Sequence, residues 1–407
     1  MNRRTLGVIA AAFVAQGIAL GSTIASFTLF VRPVADSFEA STFEVSVGVS
    51  LITLSLAACG VPIGIWLDRG SPKRVMFTGC AIMTTAILLA SQAQSLSMLA
   101  VLCVLVGTGI PMLGPLTTAA VVGKVATEQR GRALGIANLG LPLFGMGFAL
   151  LTGFSIDAWG WRTTLQIYSA IILGLGLPAI TFGIPADLGT ESRLEADSSA
   201  TAESWTPKRL LASPTFRIIA LVLGIGIGIT TGWTAHVAPF LIDLNASMRY
   251  AGGVLGGMQG AMMVGTLVLG ATADRYPPVR ILLGIFTAQA VSFVVLFADF
   301  GLSISAITLL ASGIAAGGLI PVISHLFAEK FGAANLGGTM GLANLAIVPF
   351  GFGLPMIAGG LRDMTGSYST TILLCFGLLV VGLGAIASLA RRERSEHQER
   401  QERLVAS

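Results

Sequence analysis

Apolar residues in this chain of 407 residues fall into long runs that short charged loops separate. About 20 consecutive apolar residues are needed to cross a bilayer as an α-helix. Twelve runs meet that length, and they predict an all-α membrane protein with twelve transmembrane helices, here numbered spans 1 to 12. The runs cover residues 6–31, 44–67, 75–92, 97–122, 133–156, 163–183, 216–242, 250–273, 281–298, 302–327, 338–361 and 368–390.

One long polar segment, residues 185–213, separates the first six runs from the last six. Its charged residues give it the composition of a solvated linker that cannot bury a core. We therefore expect an N-terminal six-helix bundle (1–183), a cytoplasmic linker (184–214), a C-terminal six-helix bundle (215–390) and a charged cytoplasmic tail (391–407).

Composition excludes several classes of protein. Hydrophobic residues make up 54% of the chain and charged residues 11%, whereas a soluble domain has about 25% charged residues. The net charge of +4 is not concentrated in one aromatic-rich cluster, so nucleic acid is not an expected partner. The four cysteines lie inside apolar runs without metal-site spacing, and the chain has no P-loop, zinc-protease or serine-elbow motif. We expect no enzyme activity, no metal and no cofactor.

The distribution of basic residues predicts the orientation in the membrane. With the N-terminus in the cytoplasm, all but four of the 24 Lys and Arg residues face inwards, as the positive-inside rule requires. The four exceptions are Arg32, Arg162, Arg249 and Arg362. We expect both termini in the cytoplasm, and the bacterial inner (plasma) membrane as the location.

The two halves of the chain repeat each other at a spacing of 206 residues, the distance from Asp68 to Asp274. The same spacing relates the pairs Gly64/Gly270, Arg69/Arg275, Arg74/Arg280, Pro33/Pro239, Lys124/Lys330, Asn138/Asn344 and Asp157/Asp363. Glycine is abundant in this chain, so the weight rests on the Asp, Arg, Lys, Asn and Pro pairs, which duplication explains. Two like-oriented six-helix halves form a known transporter architecture, with a substrate site between them near the membrane midplane.

The repeated loop segments resemble the major facilitator superfamily. They are Gly64 to Arg69 with Arg74 after span 2, and Gly270 to Arg275 with Arg280 after span 8. The segments 130–133 and 157–162 agree with the same family, and the resemblance covers about residues 6–390. One departure lies in the turns that follow. The first loop has Gly70-Ser71 where the family usually places a glycine one residue later, and the second loop has Tyr-Pro-Pro at 276–278 instead. The resemblance implies a secondary active or facilitative transporter that moves a small organic solute by alternating access.

The loop motif has a physical interpretation as a cytoplasmic gate. Asp68 and Asp274 lie at helix C-termini, where the macrodipole disfavours a negative charge by about 0.3 to 1 kcal/mol, so each needs a partner from elsewhere. The resemblance implies the N-terminus of span 11 for Asp68 and that of span 5 for Asp274. The alternative is a solvated loop whose charges only fix topology. The predicted gating residues are Gly64, Asp68, Arg69, Arg74, Arg130, Gly270, Asp274, Arg275 and Arg280.

Polar side chains inside the membrane are the candidates for solute binding, because they are costly to place there. The resemblance implies that spans 1, 4, 7 and 10 line the cavity. The substrate-binding candidates are Gln16, Thr23, Arg32, Thr230, Thr231, Trp233, His236 and His325.

Arg32 and His236 occupy nearly equivalent positions toward the outer mouth, where a cation and an imidazole suit an anionic solute. In the alternative interpretation Arg32 only reaches the membrane interface and His236 bonds a backbone carbonyl. His325 lies near the cytoplasmic edge, where a capping or interfacial histidine is the commoner case. Asn138 and Asn344 are expected to make interhelical hydrogen bonds rather than ligand contacts.

Residues 26–38 and 236–241 resemble the monocarboxylate and oxalate:formate transporter branch of the family. Members of that branch often carry a basic residue in span 8 or 11, and here neither span contains Lys, Arg, Asp or Glu. A carboxylate solute is therefore a hypothesis, and a coupling proton would have to use His236 or His325. The competing hypotheses are a multidrug efflux carrier of the same fold and a non-transporting membrane sensor. We expect a monomer whose partners are the solute and the bilayer.

Overall fold

The computed structural model describes residues 3–126, 130–185, 188, 207–273, 275–332 and 336–406, which contain seventeen α-helices and no β-strand. The helices are α1 (Arg3–Gly21), α2 (Phe27–Phe38), α3 (Thr42–Arg69), α4 (Pro72–Ala90), α5 (Leu96–Leu113), α6 (Pro115–Val125), α7 (Arg130–Asn138), α8 (Gly140–Gly183), α9 (Pro207–Ala212), α10 (Pro214–Thr234), α11 (Val237–Asp243), α12 (Met248–Ala273), α13 (Pro278–Phe297), α14 (Leu302–Phe331), α15 (Leu336–Ala343), α16 (Ile347–Thr365) and α17 (Ser369–Ala406).

Eleven segments of the described chain are long and apolar enough to cross a membrane. One of them, 133–183, has 51 residues and holds both span 5 and span 6. It bends at Gly160, where φ is +79°, a backbone conformation that glycine adopts without steric cost. The prediction of an all-α membrane protein is confirmed, and the twelve-span count agrees with these segments.

The chain divides into two compact units. Unit 1 comprises Met1–Thr201, Gly232–Gly260 and Pro355–Gly366, and unit 2 comprises Ala202–Thr231, Ala261–Leu354 and Ser367–Ser407. Unit 1 therefore contains spans 1 to 6 together with one end of spans 7, 8 and 11. The division of the sequence into two bundles and a linker stays a prediction.

The core of unit 1 forms around α1. Val8, Ala12, Ala15 and Ile18 have no exposed surface, so this helix is enclosed by its neighbours. Small residues allow this enclosure. A Cβ at Gly140 of α8 would collide with the backbone of Phe13.

Span 1 is not one continuous helix, although its apolar run predicts one. α1 ends at Gly21 and α2 begins at Phe27. Three hydroxyl groups supply hydrogen-bond donors around the break. Ser22 donates to Ile18 O at 2.6 Å, Thr23 to Ala19 O at 2.6 Å and Ser26 to Gly21 O at 2.7 Å. Because free carbonyls are costly inside a membrane, these bonds make the break tolerable.

Unit 2 is built from α13 packed on α14 and α17, with residues 214–231 of α10. Phe216 lies against Phe327 and Phe331, with ring centroids 5.9 and 6.0 Å apart. The Thr266 hydroxyl donates to Gly317 O at 2.9 Å, which joins α12 to α14. As in unit 1, small residues let helix backbones approach, since a Cβ on Gly317 of α14 would collide with the backbone of Met262 in α12.

Candidate functional site

An ion cluster of Arg32, Asp243 and Arg362 joins α2, α11 and α16 of unit 1, and Arg32 also pairs with Asp36 on its own helix. The guanidinium of Arg362 donates from Nε and Nη2 to the two oxygens of Asp243, each at 3.2 Å. Arg32 Nη1 lies 3.7 Å from Asp243 Oδ1, and Arg32 Nε lies 3.6 Å from Asp36 Oδ1. The paired geometry with Arg362 is the stronger contact, since bidentate arginine–carboxylate pairs combine charge with two aligned hydrogen bonds.

The N-terminus of α3 is bound by a carboxylate of α16. The backbone N–H of Thr42 donates to Asp363 Oδ1 at 3.2 Å, and that of Phe43 donates to Asp363 Oδ2 at 2.7 Å. Ser41 and Glu44 form a capping box on the same turn. First-turn N–H groups have no partner within their own helix and carry partial positive charge, so a carboxylate is favourable here.

A second carboxylate contact joins α8 to the N-terminus of α12. Asp157 Oδ2 lies 3.5 Å from Arg249 Nε. The Arg249 guanidinium also covers the ring of Phe154, with 4.9 Å between the charge centre and the ring centroid. The Ser247 hydroxyl accepts a hydrogen bond from Tyr250 N at 3.2 Å and so caps α12.

These two helix contacts are copies of each other. At the 206-residue spacing Asp157 is equivalent to Asp363 and Arg249 to Phe43, so equivalent residues meet in both places. Ser247 is likewise equivalent to Ser41, and each serine caps its helix. The sequence repeat therefore extends to the contacts at these helix ends.

Close helix approach accompanies both carboxylates. A Cβ on Gly153 of α8 would come within 2.9 Å of Gly252 Cα in α12. A Cβ on Gly359 of α16 would come within 3.0 Å of Ser46 Oγ in α3. Gly153 is equivalent to Gly359, and Gly252 to Ser46. Each contact thus contains a glycine one turn before its aspartate, where only a hydrogen leaves room for the neighbouring helix.

Residues 28–46 and 145–157 contact residues 236–259 and 355–363. We call these contacts the outer seam, because the distribution of basic residues predicts that these loops face outwards. All four arginines predicted to face outwards lie in unit 1. Three of them belong to the seam. The fourth, Arg162, donates to Ala93 O at 3.1 Å and stacks on Trp161, 4.2 Å from its ring centroid.

His236 lies inside the outer seam with no exposed surface. Its Nε2 is 2.8 Å from Pro355 O, so this nitrogen carries the hydrogen and donates it to the carbonyl. Ser46 Oγ lies 3.5 Å from the same nitrogen. Of the two interpretations that the sequence left open, the bond to a backbone carbonyl describes this geometry.

The beginning of α11 is held by span 1. The N–H of Ala238 donates to Thr28 Oγ1 at 2.9 Å. Thr28 therefore supplies the cap that α11 lacks, since His236 at the N-cap position makes no side-chain cap bond. Arg32 lies one helical turn further along α2, so one face of that short helix contacts α11 through both residues.

The remaining substrate-binding candidates of unit 1 are buried. Gln16 Nε2 donates to Asn138 Oδ1 at 3.1 Å, which confirms the expected interhelical bond of Asn138. Gln16 Oε1 is buried without a hydrogen-bond partner in the described part of the chain. The Thr23 hydroxyl donates to Ala19 O of α1, and the Trp233 ring contacts that of Phe240 in a tilted arrangement with 5.4 Å between the ring centroids.

Three candidates belong to unit 2. The Thr230 hydroxyl donates to Gly226 O at 2.8 Å. Thr231 and His325 are half-buried. The role of all eight candidates in solute binding stays a prediction.

The predicted cytoplasmic gate is only partly described. Asp274 and the side chains of Asp68 and Arg130 lie outside the described residues. Arg69, Arg74, Arg275 and Arg280 are exposed. An added Cβ would meet no described atom within 4 Å at Gly64, and at Gly270 it would touch Pro321 at 3.4 Å, so neither glycine is in close helix contact here.

Sequence reasoning missed Asp243, Thr28, Ser46 and Pro355 as site residues. The paired aspartates at 157 and 363 were visible as part of the repeat, and following the same spacing to Ser41 and Ser247 indicates the matched helix starts. Asp243 carries no such signal, because its equivalent residue is Ser37.

Comparison with known proteins agrees with this architecture. The family model described as "Major Facilitator Superfamily" matches residues 11–348. The chain is 24% identical to the uncharacterized MFS-type transporter YcxA of Bacillus subtilis (strain 168), over 91% of each chain. It is 26% identical to monocarboxylate transporter 13 of Rattus norvegicus, over 94% of this chain and 88% of that protein.

The fold is also that of solved transporters. The crystal structure of a bacterial homolog of the human lysosomal transporter Spinster, in an inward-facing and occupied conformation, superposes with a TM-score of 0.76 at 16% identity. The match covers 95% of this chain and 97% of that one. With the repeated halves, the membrane spans and the family match together, this chain belongs to the major facilitator superfamily of solute transporters.

Proposed function

We propose that this transporter moves a small organic anion, a monocarboxylate, by alternating access, and that the outer seam is its outer gate. The ion cluster of Arg32, Asp243 and Arg362 carries the proposal. The name of the rat relative, monocarboxylate transporter 13, supports the same class of solute.

A gate must be stable in its closed state, yet the free energy needed to open it must be small. The ion pairs of the outer seam are at its exposed edge, where an ion pair contributes about 0 to 1 kcal/mol. Several such contacts, together with the close packing at Gly153 and Gly359, add up to a closed seam without any single strong bond. Modest free energy from solute binding can therefore shift the equilibrium between closed and open states.

Opening the seam would leave Arg32 available to an anion. Asp243 is held by two hydrogen bonds to Arg362, whereas its contact with Arg32 is 3.7 Å long. When the spans separate, Asp243 stays with Arg362, since both belong to the C-terminal half of the sequence. Arg32, with 43% of its side chain exposed, then keeps only the weak contact to Asp36 among the ion pairs described. A solute carboxylate restores the lost charge pairing.

A proton is the proposed coupling ion, with His236 or His325 as its carrier. Imidazole is the side chain whose charge changes most readily near physiological pH. His236 contacts both Pro355 and Ser46, so a change in its charge would act on the contact between α11, α16 and α3. The proposed location is the bacterial inner membrane, with a monomeric protein and both termini in the cytoplasm.

Uptake into proteoliposomes tests the proposal. A panel of labelled monocarboxylates, amino acids and apolar drugs is offered to the wild type, Arg32→Gln and Arg32→Lys. Losing a charge-assisted hydrogen bond of about 1.5 to 3 kcal/mol predicts about a 10- to 150-fold weaker affinity for the carboxylate in Arg32→Gln. Lysine recovers part of that loss.

Arg162→Gln is the matched control, because Arg162 is the outward arginine that does not belong to the seam. Its affinity for the carboxylate should match that of the wild type at equal protein abundance. Uptake of amino acids or apolar drugs, with no uptake of any monocarboxylate in the panel, contradicts the proposed solute class. Absence of both transport and solute binding across the panel favours a non-transporting sensor.

A further inference from the structure

The short helix α2 has two contact faces. Thr28 and Arg32 face α11 in the outer seam. The face formed by Phe27, Phe30 and Val34 lines a cavity inside unit 1. Since the break after Gly21 separates α2 from α1, whatever fills that cavity supports α2 from the side opposite the seam.

The cavity has a volume of about 130 Å³ and lies among α2, α3, α4, α5 and α8. Its lining is almost entirely carbon. Among its few polar groups, the hydroxyls of Ser22 and Thr23 donate to carbonyls of α1 and the Glu44 carboxylate accepts from Ser41. The lining therefore offers mainly apolar contacts to a ligand.

Apolar cavities of this size bind apolar molecules. A cavity of about 150 Å³ lined by aliphatic and aromatic side chains stays free of water and takes up benzene or xenon. The present cavity is smaller than an intact lipid, but its volume suits the end of a hydrocarbon chain. The apolar lining of the cavity thus favours an alkyl group as its ligand.

The source of that group follows from where the cavity lies. It is bounded by membrane-spanning segments, and positions next to the lining residues are exposed and apolar, including Leu88, Val101 and Leu105. Molecules dissolved in the hydrocarbon of the bilayer therefore surround these helices. Lipid acyl chains are the most abundant of them.

We propose that the cavity holds the end of an acyl chain from a bilayer phospholipid, and that this chain supports α2 behind the outer seam. The inference concerns lipid binding and does not depend on the identity of the transported solute.

Photo-crosslinking of the full-length protein in phosphatidylcholine vesicles tests it, using a phosphatidylcholine with a diazirine near the end of one acyl chain. Val101 and Leu105 are exposed and should be labelled by any surrounding lipid. Leu102 and Val106 line the cavity and are 5% and 7% exposed, so they should be labelled only from within it. We expect adducts on both pairs. Adducts confined to Val101 and Leu105 would overturn the proposal.

Filling the cavity gives the matched comparison. Ala100→Phe places a ring in the cavity and should reduce labelling of Leu102 and Val106 at least fivefold while leaving that of Val101 and Leu105 unchanged. Val101→Phe, on the exposed side of the same helix, should not reduce labelling of the cavity pair. Ala90→Leu fills the cavity from α4 if Ala100→Phe does not fold.

If Leu102 and Val106 are labelled as strongly in the filled variants as in the wild type, the proposal is also overturned. A free fatty acid with the same diazirine distinguishes the source of the chain. If the fatty acid labels the cavity pair and the phospholipid does not, the phospholipid is the wrong occupant.

Discussion

The carboxylate of Asp363 accepts a 2.7 Å hydrogen bond from the backbone N–H of Phe43 at the start of α3. Because the same carboxylate also accepts from Thr42, one side chain of α16 binds the first turn of another span. Its equivalent in the first half, Asp157, contacts Arg249 at the start of α12. The outer seam is therefore built twice from one pattern.

Replacing Asp363 by Asn should weaken the seam. The amide keeps one acceptor oxygen but loses its charge and one of the two bonds, which at an exposed site costs about 1 kcal/mol and shifts the closed-to-open ratio about fivefold. A cysteine at Ser46, in a background without the native cysteines, should then react faster with a membrane-impermeant maleimide applied from outside. Asp299→Asn, an exposed aspartate of unit 2, should leave the rate unchanged. If Asp363→Asn and Asp299→Asn give the same rate of labelling at position 46, Asp363 does not contribute to the gate.

Replacing Gly153 by Val should prevent the seam from closing fully. The added side chain meets Gly252 Cα and Met248 O, both within 2.9 Å of the new Cβ, and forcing extra atoms into a packed contact costs about 1 to 3 kcal/mol. We expect faster labelling at Ser46→Cys and slower net uptake. Gly147→Val, on the same helix with open space around its Cβ, is the control. Normal turnover with unchanged labelling in Gly153→Val would contradict the need for close approach.

Asp68→Asn and Asp274→Asn should slow transport more than they weaken solute binding. Both residues follow spans in predicted cytoplasmic loops, far from a midplane site, so they act on the conformational step. Initial uptake rates and equilibrium binding of the same solute, measured at matched abundance, separate the two effects. Unchanged turnover with greatly weakened affinity would rule out a gating role.

His236→Gln should flatten the pH dependence of uptake, if His236 carries the coupling proton. Glutamine can still donate an N–H to Pro355 O, so the seam contact is retained while the titrating group is lost. His325→Gln tests the other candidate under the same conditions. An intact pH profile in His236→Gln would leave this residue with a structural role alone.

The orientation in the membrane is tested by labelling from outside intact cells. A cysteine at Ser247, an exposed residue before α12, should react with an impermeant reagent, whereas one at Ser199 in the linker should not. Ser199 lies outside the described residues. The opposite labelling pattern would overturn the predicted topology.

Much of this fold follows from the sequence, because the bilayer imposes a strong length and polarity rule. The twelve spans and the repeat centred on Asp68 and Asp274 needed no tertiary information. The break in span 1 was missed, since Ser22 and Thr23 satisfy backbone carbonyls within an apolar run and leave no gap in hydropathy. Contacts of His236 with Pro355 and Ser46 join residues from three spans, which periodicity within one span cannot reveal.

The two copies of the carboxylate contact differ in what mutation can do to them. At α3 the donors are backbone N–H groups of Thr42 and Phe43, so among substitutions of these two residues only proline deletes a donor. At α12 the partner is a side chain, and any replacement of Arg249 alters the pair. The contact at α3 thus tolerates most substitutions of its donor residues, whereas the contact at α12 changes with any substitution of Arg249. In this chain a single substitution at position 249 can therefore loosen or tighten the outer closure, while a substitution of Phe43 by any residue other than proline keeps the backbone donor.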